Sequence, residues 1–344
     1  IDNHNEVNED ALNLVSSYYL DITDVRGSKI MDISDKEISM MIQVSGKKIY
    51  RIIKFPNTFQ SSDEVVTFFY FCLAEARKKA PEDYPKTRIE IQIEKTLDLN
   101  TYITKVKNKR EISSNIIEIT FHAGLESLPD LKNDAFMYFI VHEDINHKYP
   151  KNFVMQNFRE LNAKKDNPYS AAYYTIRSFR KNEIDVWFVI HDNPGPLANW
   201  AEKVNEDSEV AIWGPRTTFT PPEGTDNFLF IADETAQAAV LASIENLDNK
   251  FNYKCLFETQ NKSSQFEFLD PNNCIEWIYR NNEPAGKGSK LSTKIEELEI
   301  KTDNLYVFGA GEAKQISLIR KTLKQKFDLE TNQMSFTGYW RRTS

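Results

Sequence analysis

Tyr174-Thr175-Ile176-Arg177, an apolar run ending in His191, Gly195-Pro196-Leu197-Ala198-Asn199-Trp200-Ala201, Trp213-Gly214-Pro215-Arg216 and Ala232-Asp233-Glu234-Thr235-Ala236 follow one another along the middle of the chain. Most of this stretch belongs to a succession of short strand-like segments at 88–93, 101–106, 115–121, 135–141, 173–179, 184–190 and 208–213, the spacing of an antiparallel barrel. A short helix interrupts them, with Leu197, Trp200, Ala201 and Val204 on one face. Beyond it, apolar strands at 227–231, 252–257 and 305–309 alternate with helical patterns at 234–247 and 312–327. The first helix aligns Ala236, Val240, Ile244 and Leu247, and the second Ile316, Ile319, Leu323 and Phe327. Such alternation predicts a parallel sheet whose ligands lie at the carboxyl ends of its strands.

A smaller module precedes the barrel pattern. Residues 9–19 carry Ala11, Leu14, Val15 and Tyr18 on one helical face, and strands at 38–44 and 48–54 flank a Ser45-Gly46 hairpin turn. A second helix is expected to start with Ser61 as cap and Glu64 three residues on, then to run through Val65, Phe69, Leu73 and Ala76. Ala80 to Lys86, with two prolines, reads as a linker, so residues 1–85 are expected to form a small α/β accessory domain. The tract 281–299, rich in Asn, Lys, Gly and Glu, reads as a surface loop or a short exposed helix.

With 344 residues, 40% of them hydrophobic, the chain is expected to build two or three domains. A net charge of -8 argues against a general nucleic-acid binder, which needs a basic face. Cys72, Cys255 and Cys274 are far apart and form no CxxC pair, so neither a disulfide framework nor a structural metal site is expected. No apolar run is long enough for a membrane span and no signal-peptide pattern is visible, which makes the cytoplasm the default location; a leader ahead of Ile1 stays open.

In order and spacing the quoted segments, with Gly338-Tyr339-Trp340-Arg341 near the end, resemble the siderophore-interacting protein family. Members are flavin-dependent ferric-siderophore reductases built like ferredoxin reductases. The resemblance implies an antiparallel β-barrel that binds FAD at 86–222 and an α/β parallel-sheet domain that binds NADPH or NADH at 223–344. The opening Asn3-His4-Asn5-Glu6-Val7-Asn8-Glu9-Asp10-Ala11-Leu12 is similar to the start of a small domain attached to some of these proteins and to haem-handling proteins. Asn3 and Asn8 replace that pattern's two histidines; an amide ligates iron poorly, so packing or docking is the expected role.

The family's Arg-x-Tyr-Thr-x-Arg motif carries over to Tyr174, Thr175 and Arg177, with Ala172 where the first Arg belongs. A flavin needs an aromatic or aliphatic wall, and its phosphates need donors, which Gly195-Pro196 at a helix N-terminus would offer. The family's Gly-Pro-Ala-Ser-x-Trp-Ala keeps Gly195, Pro196, Trp200 and Ala201 here but has Ala198 in place of Ser; Arg177, Asn199 and Arg180 are the candidates to compensate for the two losses. His191 matches a strand-end histidine before the phosphate loop. Asp233, a plausible helix cap, and Thr235 border the nicotinamide and flavin, and Trp340 closes over the cleft. Gly309-Ala310-Gly311-Glu312 is not a dinucleotide fingerprint, because Lys314 stands at its third glycine, yet it matches the family's Ala-Gly-Glu. Lys314, Arg341 and Arg342 are the candidate cations for an anionic siderophore. From residue chemistry alone, these segments also fit an amphipathic strand, a turn and a helix cap.

The expected activity is transfer of electrons from NADPH or NADH through FAD to a ferric siderophore, releasing Fe(II), by a monomer with no nucleic-acid or membrane partner. Two alternatives remain open: a non-catalytic binder of ferric siderophore or haem with a degenerate flavin site, recorded by Ala172 and Ala198, and a reductase serving free flavin or a protein.

Overall fold

The computed structural model describes residues 5, 8–59, 62–97, 99–162, 167–191, 194–247, 251–268, 274–281, 283–287 and 289–342. The chain divides into two compact units, 1–98 and 99–344. In the first unit, helix α1 (Glu9–Leu14) continues as a π-helical turn over Val15–Tyr19. An antiparallel sheet of β1 (Val25–Ile33), β2 (Glu37–Val44) and β3 (Lys47–Lys54) follows in that order, then α2 (Ser62–Lys79) and α3 (Arg88–Leu97). Ile38, Met40 and Ile42 alternate onto the buried face of β2 and meet Phe69, Cys72, Leu73 and Ala76 of α2. Ser45 and Gly46 both adopt positive φ, 45° and 78°, which lets a two-residue turn follow the strand twist. Strand β1 was not expected; irregularities between Val25 and Gly27 and between Ile30 and Asp32 break its alternation. Ser61 and Asn3 lie outside the described residues.

Residues 88–93 correct the sequence reading. Arg88-Ile89-Glu90-Ile91-Gln92-Ile93 alternates like a strand, yet it forms the start of α3. Thr87 N and Oγ1 each donate to Glu90 Oε2 at 2.8 Å, and Arg77 grips the same carboxylate through Nε at 2.6 Å and Nη2 at 2.7 Å. This is a capping box reinforced from another helix. Ile89 is buried, while Ile91 and Ile93 remain 41% and 38% exposed, so the alternation is not burial periodicity.

In the second unit six antiparallel strands close a barrel in the order β4-β5-β8-β7-β6-β9: β4 (Asn100–Ser113), β5 (Ile116–His122), β6 (Phe136–His142), β7 (Tyr169–Arg180), β8 (Glu183–Val189) and β9 (Glu209–Arg216). Helix α4 (Met155–Asn162) packs outside, and α5 (Pro196–Lys203) plugs the interior with Leu197, Trp200 and Ala201, joined by Val204. β7 pairs with β6 through 169–175 but with β8 only through 176–180, so its first half leaves one edge unpaired among the described residues. A strand edge carries free N–H and C=O groups.

The rest is a five-stranded parallel sheet, β12-β11-β10-β13-β14: β10 (Asn227–Ala232), β11 (Asn252–Thr259), β12 (Ile275–Tyr279), β13 (Leu305–Glu312) and β14 (Met334–Trp340). Phe228 and Phe230 point to α6 (Gln237–Glu245), whereas Leu229 and Ile231 meet α7 (Ser289–Glu297) and α8 (Ala313–Phe327). Strands β12 and β14 escaped the sequence reading because they lie at the two edges and each buries a single residue, which leaves no apolar run. The helix in 281–299 is not an exposed one, since Leu291 and Ile295 enter the core. Asp134, fully buried, accepts from Thr217 Oγ1, from Thr218 N at 3.0 Å and from Phe219 N at 3.1 Å, and so pins the segment joining barrel to sheet.

Arg77, by hydrogen bonding, lowers the Glu90 pKa from 4.5 to about 2, despite partial burial. The folded pKa is depressed, so the stabilisation is present above about pH 4.5 and fades as pH falls towards 2. Allowing for partial exposure, Glu90→Gln is expected to destabilise the α3 region by about 1–2 kcal/mol at pH 7, the gap narrowing towards about pH 3. Hydrogen exchange of the α3 amides at pH 7, with urea denaturation followed across pH, checks both expectations.

Candidate functional site

A cavity of about 1260 Å³ opens between the unpaired edge of β7, the start of α5, the carboxyl ends of β10–β12 and the chain's last described residues. It exceeds the roughly 300–1,000 Å³ of one small-molecule site, leaving room for a cofactor and a second ligand. Its lining includes the aromatic rings of Tyr138, Phe158, Tyr169 and Tyr173 and, from other segments, His191, Arg280, Arg341 and Arg342.

Nine of the residues singled out in the sequence line this cavity: Tyr174, Thr175, His191, Gly195, Pro196, Thr235, Trp340, Arg341 and Arg342. Tyr174 packs its ring 4.4 Å from that of Phe188 and 5.9 Å from Phe139, and burial raises its phenol to about 12, so it stays protonated. Thr175 is buried on the cavity wall, and its hydroxyl lies beside the Tyr339 phenol, whose pKa burial raises and this contact lowers. Gly195 precedes α5 in an extended conformation, Pro196 occupies the first turn, and no side chain caps the helix. A Cβ at Gly195 would meet nothing within 4 Å, so the helix start has open space before it. Lys109 Nζ donates to the carbonyl of Glu202 at 2.7 Å at the other end of α5, complementing the helix dipole.

The others take different positions. Arg177 is paired with Glu245 at 2.7 and 2.8 Å and lies 5.5 Å from the Trp187 ring, which commits its guanidinium to α6. Asn199 Nδ2 donates to Pro194 O at 3.0 Å and braces the turn. Trp200, 5% exposed, lies in the barrel core 6.1 Å from Phe188. Lys314 is exposed on α8 and is not among the lining residues.

Asp233 is not a helix cap: α6 begins at Gln237 with Ala236 as its cap residue. Its buried carboxylate instead accepts from Thr235 N at 2.9 Å, Glu312 N at 3.0 Å and Trp340 Nε1 at 2.7 Å. Burial, then the neighbouring Glu234, pushes its pKa above the ordinary carboxylate range. The Trp340 ring stands 6.0 Å from that of His191 across the cavity.

Beside it lies a charge cluster that the sequence reading missed. Arg280 donates to Glu234 through Nη1 and Nη2, both at 2.7 Å, and lies 3.5 Å from Glu258. Glu258 also receives Gln315 Nε2 at 3.2 Å. Glu234 was visible only as part of an acidic turn, and Arg280 stood next to a tract read as surface; no local spacing joins residues 46 positions apart. Arg280 is thereby neutralised, although it lines the cavity.

Comparison with known proteins agrees with this geometry. The model of the siderophore-interacting FAD-binding domain matches residues 105–219, and that of the siderophore-interacting protein matches 225–343. Ferric vibriobactin reductase of Vibrio cholerae is 26% identical over 174 residues, covering 49% of this chain and 64% of that protein. The chain thus spans just under two thirds of that relative's length. A siderophore utilization protein from T. fusca superposes with a TM-score of 0.61 at 24% identity, over 72% of this chain and 94% of that one. Phthalate dioxygenase reductase gives 0.50 at 12% identity, over 69% and 68%. These two likenesses establish the ferredoxin-reductase-like fold.

Burial raises Glu258 from 4.5 to about 7, although Arg280 pulls the other way. The folded protein therefore binds the extra proton between these values, and stability contributed by this group falls as pH rises through that window. Glu258→Gln, which mimics the protonated form, is expected to remove that fall and to stabilise the protein by about 1–3 kcal/mol at pH 8 relative to its effect at pH 5. Urea denaturation at both pH values tests this; an unchanged pH slope contradicts it.

Proposed function

This chain belongs to the siderophore-interacting protein family, and we propose that it is a cytoplasmic FAD-dependent ferric-siderophore reductase drawing electrons from NADH or NADPH. The observation that carries the reading is one cavity bounded by an FAD-binding barrel on one side and the carboxyl ends of a parallel sheet on the other. The residues present fit FAD. The unpaired edge of β7 and the uncapped start of α5 offer backbone N–H groups to phosphates, Thr175 places a hydroxyl on the lining, and Tyr174 and His191 supply a wall.

Bound FAD supplies the chemistry that links a two-electron nicotinamide donor to one-electron reduction of ferric iron. The protein binds and orients. Thr235 borders the switch point where a nicotinamide nucleotide would dock, and Trp340 narrows the opening to water. Arg341 and Arg342 attract an anionic ferric complex, and Fe(II) leaves because it holds oxygen ligands more weakly than Fe(III) does.

Ala172 and Ala198 favour a second reading, a binder that has lost its flavin. The visible spectrum of the purified protein, before and after FAD is added, separates the two. Flavin absorption bleached anaerobically by NADH or NADPH and restored by a ferric siderophore is the expected result. A colourless protein that ignores excess FAD yet binds a ferric siderophore supports the binder instead; turnover without any siderophore points to a flavin or protein reductase. Ala172→Arg, which restores a guanidinium on the cavity wall, is expected to tighten FAD by about 10–100-fold in a fluorescence titration.

A further inference from the structure

The last described residues combine a buried anchor with two uncommitted cations. β14 ends where Trp340 pairs with Glu312, and Arg341 and Arg342 extend beyond that pairing along the cavity. Among the described residues neither guanidinium has a carboxylate partner, whereas Arg280 on the same cavity is held by Glu234. The tail is fixed on either side of Arg341. Trp340 Nε1–H donates to Asp233 Oδ2 at 2.7 Å, and Arg342 N donates to Glu312 Oε1 at 3.2 Å. Glycines make room for the anchor: a Cβ on Gly311 would lie 2.7 Å from Asp233 Oδ2, and one on Gly286 would lie 3.0 Å from the Trp340 ring. With at most about 3.6 Å of chain per residue, the place of Trp340 limits where both guanidinium stems begin.

We propose that Asp233 is a positioning residue whose carboxylate latches Trp340, and thereby sets Arg341 and Arg342 as a clamp for a multiply anionic ligand at the cavity mouth. The ferric siderophore as that ligand rests on the function proposed above; the latch itself does not. An anchor that served stability alone would leave no imprint on ligand charge. A clamp discriminates, because a displaced guanidinium weakens an anion and leaves a neutral complex untouched.

The test uses the full chain, a trianionic ferric tris-catecholate and a neutral ferric tris-hydroxamate as probes, and two variants. Trp340→Phe keeps an aromatic ring and the strand pairing but removes the Nε1 donor. Asp233→Asn keeps the shape but presents an amide N–H₂ to a site filled with donors. Both are expected to speed amide exchange across 339–342, to weaken the trianionic probe by about 5–30-fold and to leave the neutral probe within about twofold. Equal losses for both probes, or tail exchange like wild type in Trp340→Phe, overturn the proposal. Wild-type protein that binds neither probe overturns the siderophore reading, and the exchange rates then decide the latch alone.

Discussion

A carboxylate cannot be buried at low cost unless donors surround it, and Asp233 is surrounded by the backbone of Thr235 and Glu312 and the indole of Trp340. Those donors come from the turn after β10, the end of β13 and the end of β14, so one side chain ties together three strand ends. The requirement explains why residue 311 is glycine and why the terminal aromatic segment is ordered. Asp134 plays the matching part at the other junction, where it gathers the backbone between barrel and sheet.

Charge is divided unevenly around that cavity. The strand ends carry Asp233, Glu234 and Glu258, and among the described residues the cation paired with them, Arg280, is held by Glu234 and Glu258. The barrel side has lost the guanidinium expected at residue 172 and its neighbour Arg177 is bound to Glu245. What remains there for an anion is backbone: the free edge of β7 and the start of α5. Such donors are fixed by the fold and do not depend on side-chain identity.

Much of this was legible in the sequence. The barrel and the βα alternation could be read from apolar spacing, as could the inward face Leu197, Trp200, Ala201 of α5, because burial there follows local periodicity. Residues 88–93 failed because Arg77, from another helix, decides the fate of Glu90. Trp200 and Arg177 sit in a recognisable motif but face the core and α6, and a motif does not state direction. The Glu234–Arg280 pair and the Asp233–Trp340 bond link residues 46 and 107 positions apart, which no local signal connects.

The claim on which the account turns is that the slot between β7 and α5 holds FAD. Hydrogen–deuterium exchange of the full chain with and without FAD tests it directly. The account predicts that amides in 170–175 and 195–199 slow by about tenfold or more on adding FAD. Exchange unchanged in both segments at saturating FAD, or slowed only elsewhere, would contradict it.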